Sequence, residues 1–150
     1  MIAIGCDHAA TRYKEEIKQH LSDRGMQVVD YGVDVGATAS DYPDYAIKVA
    51  EAVASGKCEK GILICGTGIG MSIAANKVKG VRCALCHDVF SARATRQHND
   101  ANVLALGERT MGIGTVLEIV DTFINTPFSG EGRHARRIAK ITAIEKKYFK

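Results

Sequence analysis

The stretch Ile62-Leu63-Ile64-Cys65-Gly66-Thr67-Gly68-Ile69-Gly70-Met71-Ser72 changes character twice. It begins as a short apolar run rich in β-branched residues, which reads as a buried strand. Its middle alternates glycine with other residues, the mark of a tight loop, and a short helix follows from Met71. Strand, glycine loop and helix in succession are the building unit of a parallel α/β sheet.

The flanking chain repeats that unit. Toward the amino terminus, Ile2-Ala3-Ile4-Gly5-Cys6 is a buried strand that stops at Asp7-His8. Tyr13, Ile17 and Leu21 recur every fourth residue and mark a helix, with Gly25 placed as its C′ glycine. Gln27 to Tyr31 is a strand and Gly32 to Pro43 a polar loop. Ala46, Val49, Ala50 and Val53 stripe a helix closed near Gly56. Toward the carboxyl terminus a strand spans Val81 to Cys86, and Asp88 caps a helix from Phe90 through Gln97. Val103-Leu104-Ala105-Leu106 is the fifth strand, and Ile113, Val116, Leu117, Val120 and Ile124 stripe the next helix. After Pro127 to Gly132 a last helix carries Ile138, Ile141 and Ile144 on one side. Apolar strands alternating with helices predict an α/β fold, a Rossmann-like three-layer α/β/α sandwich. Its sheet has five parallel strands, a C-terminal helix follows, and residues 1–150 make one domain.

Composition narrows the function. The chain is 46% hydrophobic and 25% charged, which excludes collagen-like and disordered classes. No apolar run approaches the ~20 residues of a membrane helix. A formal net charge of +3 with only 6% aromatics lacks the broad basic, aromatic-interleaved surface of a nucleic-acid binder. The amino terminus has no basic segment before an apolar core, so no signal peptide is expected. Five cysteines without a disulfide-like framework fit a reducing cytoplasm.

Ligands of open α/β sheets bind outside the carboxyl ends of the strands. Those ends deliver Cys6, Asp7 and His8; Cys65 and its glycine loop; His87 and Asp88; and Gly107, Glu108 and Arg109. The turn Arg96-Gln97-His98-Asn99-Asp100 leads into the amino end of the fifth strand, away from this edge unless the preceding helix ends near the site. Glycines let backbone N–H groups approach an anion, whether a phosphate or an oxyanion formed in reaction. A cysteine beside the helix start is expected to have a lowered pKa and to act as thiolate. The alternative is a tight turn with a small core cysteine.

Several familiar motifs fail on spacing. The loop is G-x-G-x-G after the third strand, whereas a dinucleotide site needs G-x-G-x-x-G after the first. It lacks the Gly-Lys-Ser/Thr of a Walker loop and the arginine of a cysteine phosphatase. Cys83-Ala84-Leu85-Cys86-His87 matches a haem or redox pattern. In a strand, however, a spacing of three puts the two thiols on opposite faces, unable to share a metal, a haem or a disulfide. Cys58 is left as a loop thiol without a role. Arg133 and Arg137, four apart, share one face of the last helix and suit a phosphate, or else form a solvated basic face. His20 reads as a surface group and His87 as a capped loop residue. His8, His98 and His134 each neighbour another polar candidate.

Gly5-Cys6-Asp7-His8, Asp41-Tyr42-Pro43, Cys65 to Gly70, Arg96 to Asp100, and Gly132-Arg133-His134 with Arg137 together resemble ribose-5-phosphate isomerase type B, in order along essentially the whole chain. The resemblance implies interconversion of ribose 5-phosphate and ribulose 5-phosphate, with no cofactor and no metal. It implies a homodimer with shared active sites, at times paired into a tetramer. Cys65 would move the proton between C2 and C1, and His98 would open the furanose ring. The backbone of Gly66, Gly68, Ile69 and Gly70 would hold the enediolate, and the Thr67 hydroxyl would shuttle protons. Asp7 and Asn99 would bind sugar hydroxyls. His8, Arg133 and Arg137 would surround the phosphate, with Tyr42, Arg109 and His134 as further contacts. Relatives acting on allose 6-phosphate or galactose 6-phosphate share the pattern. Two other classes compete, a non-catalytic phosphometabolite-binding module and a thiol-redox protein using Cys83 and Cys86.

Overall fold

A computed structural model describes residues 1–150. The strands are β1 (Ile2–Cys6), β2 (Val28–Asp30), β3 (Lys60–Cys65), β4 (Cys83–Leu85) and β5 (Val103–Gly107). They form one parallel sheet in the spatial order β2-β1-β3-β5-β4. The helices are α1 (Thr11–Asp23), α2 (Tyr42–Ala54), α3 (Ile69–Ala75), α4 (Val89–Ala94), α5 (Ile113–Asn125) and α6 (Gly132–Tyr148). A π-turn over Thr95–Asn99 extends α4.

Strand alternation sorts the core into two layers. Ile2, Ile4, Ile62, Ile64, Leu104 and Leu106 pack against Tyr13, Ile17 and Leu21 of α1 and Val116, Ile119, Val120 and Phe123 of α5. Ala3, Leu63, Cys65, Val103 and Ala105 face the opposite way, onto Ala46, Val49 and Ala50 of α2 and Met71 and Ala75 of α3. Covering both faces explains why the strands read as continuous apolar runs. Gly25 has φ +76 just past the end of α1, as its placement at C′ requires.

Several boundaries differ from expectation. α2 starts at Tyr42, so Pro43 lies in its first turn, where the missing N–H has no helical acceptor to satisfy. α3 starts at Ile69, earlier than Met71, and takes Gly70 into the helix. β4 is confined to Cys83–Leu85. Before it, the Arg82 N–H donates to Asn102 Oδ1 (2.8 Å) and the Cys83 N–H to Asn76 Oδ1 (2.8 Å), so side-chain amides occupy donors that a longer strand would use. Cys86 falls outside the strand, yet it packs in the α1/α5 layer while Cys83 packs in the α2/α3 layer. All five cysteines are free thiols. Cys58 is buried in the core. His20 is drawn into the α1–α5 contact, with Nε2 2.8 Å from Asp121 Oδ1, and is not a bare surface group.

Candidate active site

From β1 the chain moves outward to β2 and then crosses to β3 on the other side. The carboxyl ends of β1 and β3 therefore flank a topological switch point, where a crevice opens between diverging loops. Cys6 pairs with Ile64 in the ladder, so Asp7 and Cys65 emerge side by side. Asp7, His8, Tyr42, Cys65, Gly66, Thr67, Ile69, Gly70 and Arg109 all line a cleft of about 500 Å³. A groove of about 430 Å³ continues from Asp7, His8 and Tyr42 to Ser40.

The glycine loop fixes the cleft floor. The Gly68 N–H donates to Cys65 Sγ at 3.1 Å, which fixes the sulfur at the cleft floor. Gly68 sits at φ +79, where a Cβ would lie 2.8 Å from the Leu106 carbonyl oxygen, so no other residue fits. Gly70 lies under the Tyr42 ring, which a Cβ would meet at 2.7 Å. The N–H groups of Gly66 and Thr67 donate to nothing within the chain. They are open donors beside the sulfur. Thr67 is exposed, with Oγ1 accepting the Ile69 N–H (3.2 Å). The Arg109 side chain lies along Gly66, and the Arg109 backbone N–H donates to the Gly66 carbonyl at 2.9 Å. Asp7 is buried, and its Oδ1 accepts the Ala9 N–H at 3.0 Å. Burial pushes the thiol of neighbouring Cys6 up to about 12.

The remaining candidates gather elsewhere. His98 and Asn99 are exposed on the π-turn that precedes β5. Because β3 and β5 pair from Gly61 with Val103 to Cys65 with Gly107, the amino end of β5 lies about 13 Å along the sheet from Cys65. The π-turn lies beyond that. His98 stacks on His134 of α6, with ring centroids 4.3 Å apart and planes 13° from parallel. His134 is buried, and that burial, with His98 and Arg133 nearby, lowers its pKa below the usual histidine value. Arg133 and Arg137 are exposed on the same helix, and Arg133 pairs with Glu131. The candidate residues thus fall into two groups, one around Cys65 and one around His98.

The second group is held by Arg96 and Asp100 of the turn before β5 and by Thr95 and Arg82, which carry no sequence signal of their own. Arg96 is 6% exposed. It donates to the carbonyls of Thr126 (3.0 Å) and Ala101 (2.6 Å) and to Asp100 Oδ1 (2.9 Å). Arg82 donates to the carbonyls of Asn99 (2.9 Å) and Asp100 (3.0 Å). The Thr95 hydroxyl donates to Asn99 Oδ1 at 3.0 Å, which turns the amide nitrogen outward as a donor. Asp100, at φ 46, closes the turn, and π-turns of this kind concentrate at functional sites.

Comparison with known proteins completes the identification. Residues 2–141 match the family model described as Ribose/Galactose Isomerase. The chain belongs to the ribose/galactose isomerase family. It is 49% identical to ribose-5-phosphate isomerase B of Escherichia coli K12 over 97% of both chains. The ribose-5-phosphate isomerase B structure from Clostridium thermocellum superposes with a TM-score of 0.95 at 54% identity, covering 98% of each chain. D-erythrulose-4-phosphate isomerase of Pectobacterium atrosepticum is 45% identical over 96% of this chain and 94% of the relative. As a ribose/galactose isomerase, the protein is an aldose–ketose isomerase of phosphorylated sugars, and the cleft at β1 and β3 is its candidate active site.

Proposed function

We propose that this isomerase interconverts D-ribose 5-phosphate and D-ribulose 5-phosphate through an enediolate, with Cys65 as the base. One observation carries the reading. Cys65 Sγ is held by the Gly68 N–H beside the open donors of Gly66 and Thr67, in a cleft lined by Asp7 and Arg109. Proton abstraction next to a carbonyl needs a base and preorganised donors within reach of each other, and one short segment supplies both. Sγ takes the C2 proton of the open-chain aldose, the electron pair forms the C1–C2 double bond, and the C1 oxygen becomes the enediolate oxygen held by the open N–H groups at the start of the loop, those of Gly66 and Thr67. The same proton returns at C1, while the proton of the C2 hydroxyl passes to the C1 oxygen by way of the Thr67 hydroxyl. Asp7 and Asn99 hold sugar hydroxyls. His8, Arg133 and Arg137 hold the phosphate, with Tyr42, Arg109 and His134 nearby. His98 moves the proton from the anomeric hydroxyl to the ring oxygen during ring opening, a task suited to histidine near neutral pH.

These roles require two copies of the chain. Cys65 and His98 lie near opposite ends of the sheet, so one substrate meets both only if His98, Asn99, Arg133 and Arg137 of the partner subunit close the cleft. Phe90, at 75% exposure, and Ile141 and Ile144, both exposed on α6, offer apolar surface for such a homodimer, which can pair again into a tetramer. A single domain of residues 1–150 suffices for each subunit. Five free thiols fit a cytoplasmic setting, and no helix is long and apolar enough to cross a membrane.

The test is a rate profile of purified protein in the presence of a metal chelator. The substrates are ribose 5-phosphate, allose 6-phosphate, galactose 6-phosphate and, because of the Pectobacterium relative, erythrulose 4-phosphate. The expected result is the highest kcat/KM on ribose 5-phosphate. A higher value on a 6-phosphohexose or on the four-carbon sugar moves the assignment to that substrate. No turnover on any of them leaves a phosphometabolite-binding module.

A further inference from the structure

The loop from Tyr31 to Asp41, between β2 and α2, returns the chain to the carboxyl end of β1. Its first residues are pinned from below. Lys14 of α1 is only 2% exposed; its Nζ donates to the Val33 carbonyl at 2.8 Å and pairs with Asp30 Oδ2 at 3.0 Å. The Val33 N–H donates to the Cys6 carbonyl at 3.2 Å, and the Gly32 N–H to Asp30 Oδ1 at 2.8 Å. The far end is held by the start of α2 at Tyr42, whose ring lies over Gly70. Between these anchors Ser40 meets His8 twice. Its Oγ accepts the His8 backbone N–H at 2.9 Å and lies 3.1 Å from His8 Nδ1.

We propose that Ser40 is a positioning residue that sets the tautomer of His8, keeping a ring proton on Nε2 so that the imidazole offers an N–H to the substrate phosphate. A hydroxyl has one proton and two lone pairs. One lone pair of Ser40 Oγ takes the His8 N–H, and Oγ makes no hydrogen bond other than those to His8. In the proposed arrangement the hydroxyl proton goes to Nδ1, 3.1 Å away, which makes Nδ1 the acceptor and leaves the ring hydrogen on Nε2. Nε2 has no partner within the chain and belongs to an exposed side chain beside the cleft. The opposite tautomer would aim a lone pair at a phosphate oxygen. This inference rests on the placing of His8 at the phosphate under the proposed function.

The tautomer is read on ligand-free protein by long-range ¹H–¹⁵N NMR of histidine-labelled enzyme at pH 8, with His8→Gln to assign the signal. The wild type is expected to show Nε2–H, Ser40→Ala a mixed population, and Ser40→Thr the wild-type pattern. Ser40→Ala should raise KM for the sugar phosphate about five- to tenfold, the loss of one charge-assisted bond, with little change in kcat. It should weaken binding of inorganic phosphate by a similar factor, and Ser40→Thr should restore both. An Nδ1–H signal in the wild type, or no change in Ser40→Ala, overturns the proposal. The expected tautomers with unchanged KM and phosphate affinity overturn the placing of His8 at the phosphate. Absence of turnover in the wild type overturns the proposed function and leaves the tautomer result standing.

Discussion

The half-site around Cys65 and the half-site around His98 are built from different materials. The first is made by backbone at the ends of adjacent parallel strands, where the ladder and the loop glycines fix every group. The second is a π-turn leaning on α6, held by the side chains of Arg96, Arg82 and Thr95 and by a histidine stack. Backbone-built geometry tolerates little change at its glycines, whereas side-chain-built geometry can be loosened one bond at a time. Under the proposed function, their separation puts proton transfer and ring opening in different parts of the fold.

The largest effect is expected from Cys65→Ala, which removes the base and should lower kcat about 10³-fold while the melting temperature stays close to wild type. Steady-state rates and a thermal melt check both. Arg96→Ala should strike the other half. Losing its three acceptor contacts displaces the π-turn and should lower kcat/KM about 10²-fold, with a clear drop in melting temperature because the buried Ala101 carbonyl loses its arginine donor. Alkylation of Cys65 by iodoacetamide should proceed at the wild-type rate in this variant. Slowed alkylation would mean that the two halves are not independent.

A smaller effect concerns pH. The folded-state pKa of His134 is lowered by burial and by His98 and Arg133, so the fold favours its neutral form. Stability from the stack is then complete above the unfolded value near 6.5 and declines as pH falls from there toward the lowered folded value. Protection factors along α6, which allow for the slower intrinsic exchange at lower pH, should fall below about pH 6.5, and His134→Phe should remove that dependence while the Cys65 loop is unaffected. The smallest expected effect is none. Mild oxidation should leave the Cys83 and Cys86 thiols unpaired in a thiol titration, since they pack in different layers of the core.

Much of the fold was legible because its signals are local. Apolar runs, four-residue helical stripes, Gly25 at C′ and the Asp88 cap, whose Oδ1 accepts the Ser91 N–H at 2.6 Å, all depend on neighbours in sequence. The insertion of β5 between β3 and β4 was not legible, because strand order is set by which faces pack together. Nothing in Thr95-Arg96-Gln97-His98-Asn99 announces a π-turn, since it is imposed by arginine bonds to Asp100, Ala101 and the distant Thr126. The Cys65 loop, Asp7 and Arg109 are legible at strand ends and Tyr42 through the family resemblance, and they meet in one cleft. Ser40 and Lys14 carry no sequence signal, their partners being remote in sequence.

The central claim is that one active site draws Cys65 and His98 from two copies of the chain. It is tested by unfolding and refolding together, in equal amounts, Cys65→Ala and His98→Ala proteins that are each inactive alone. A shared site predicts recovery of about a quarter of wild-type activity, because half of the random dimers are mixed and each of those has one intact site. No recovery, with mixed dimers demonstrated by mass, would contradict it.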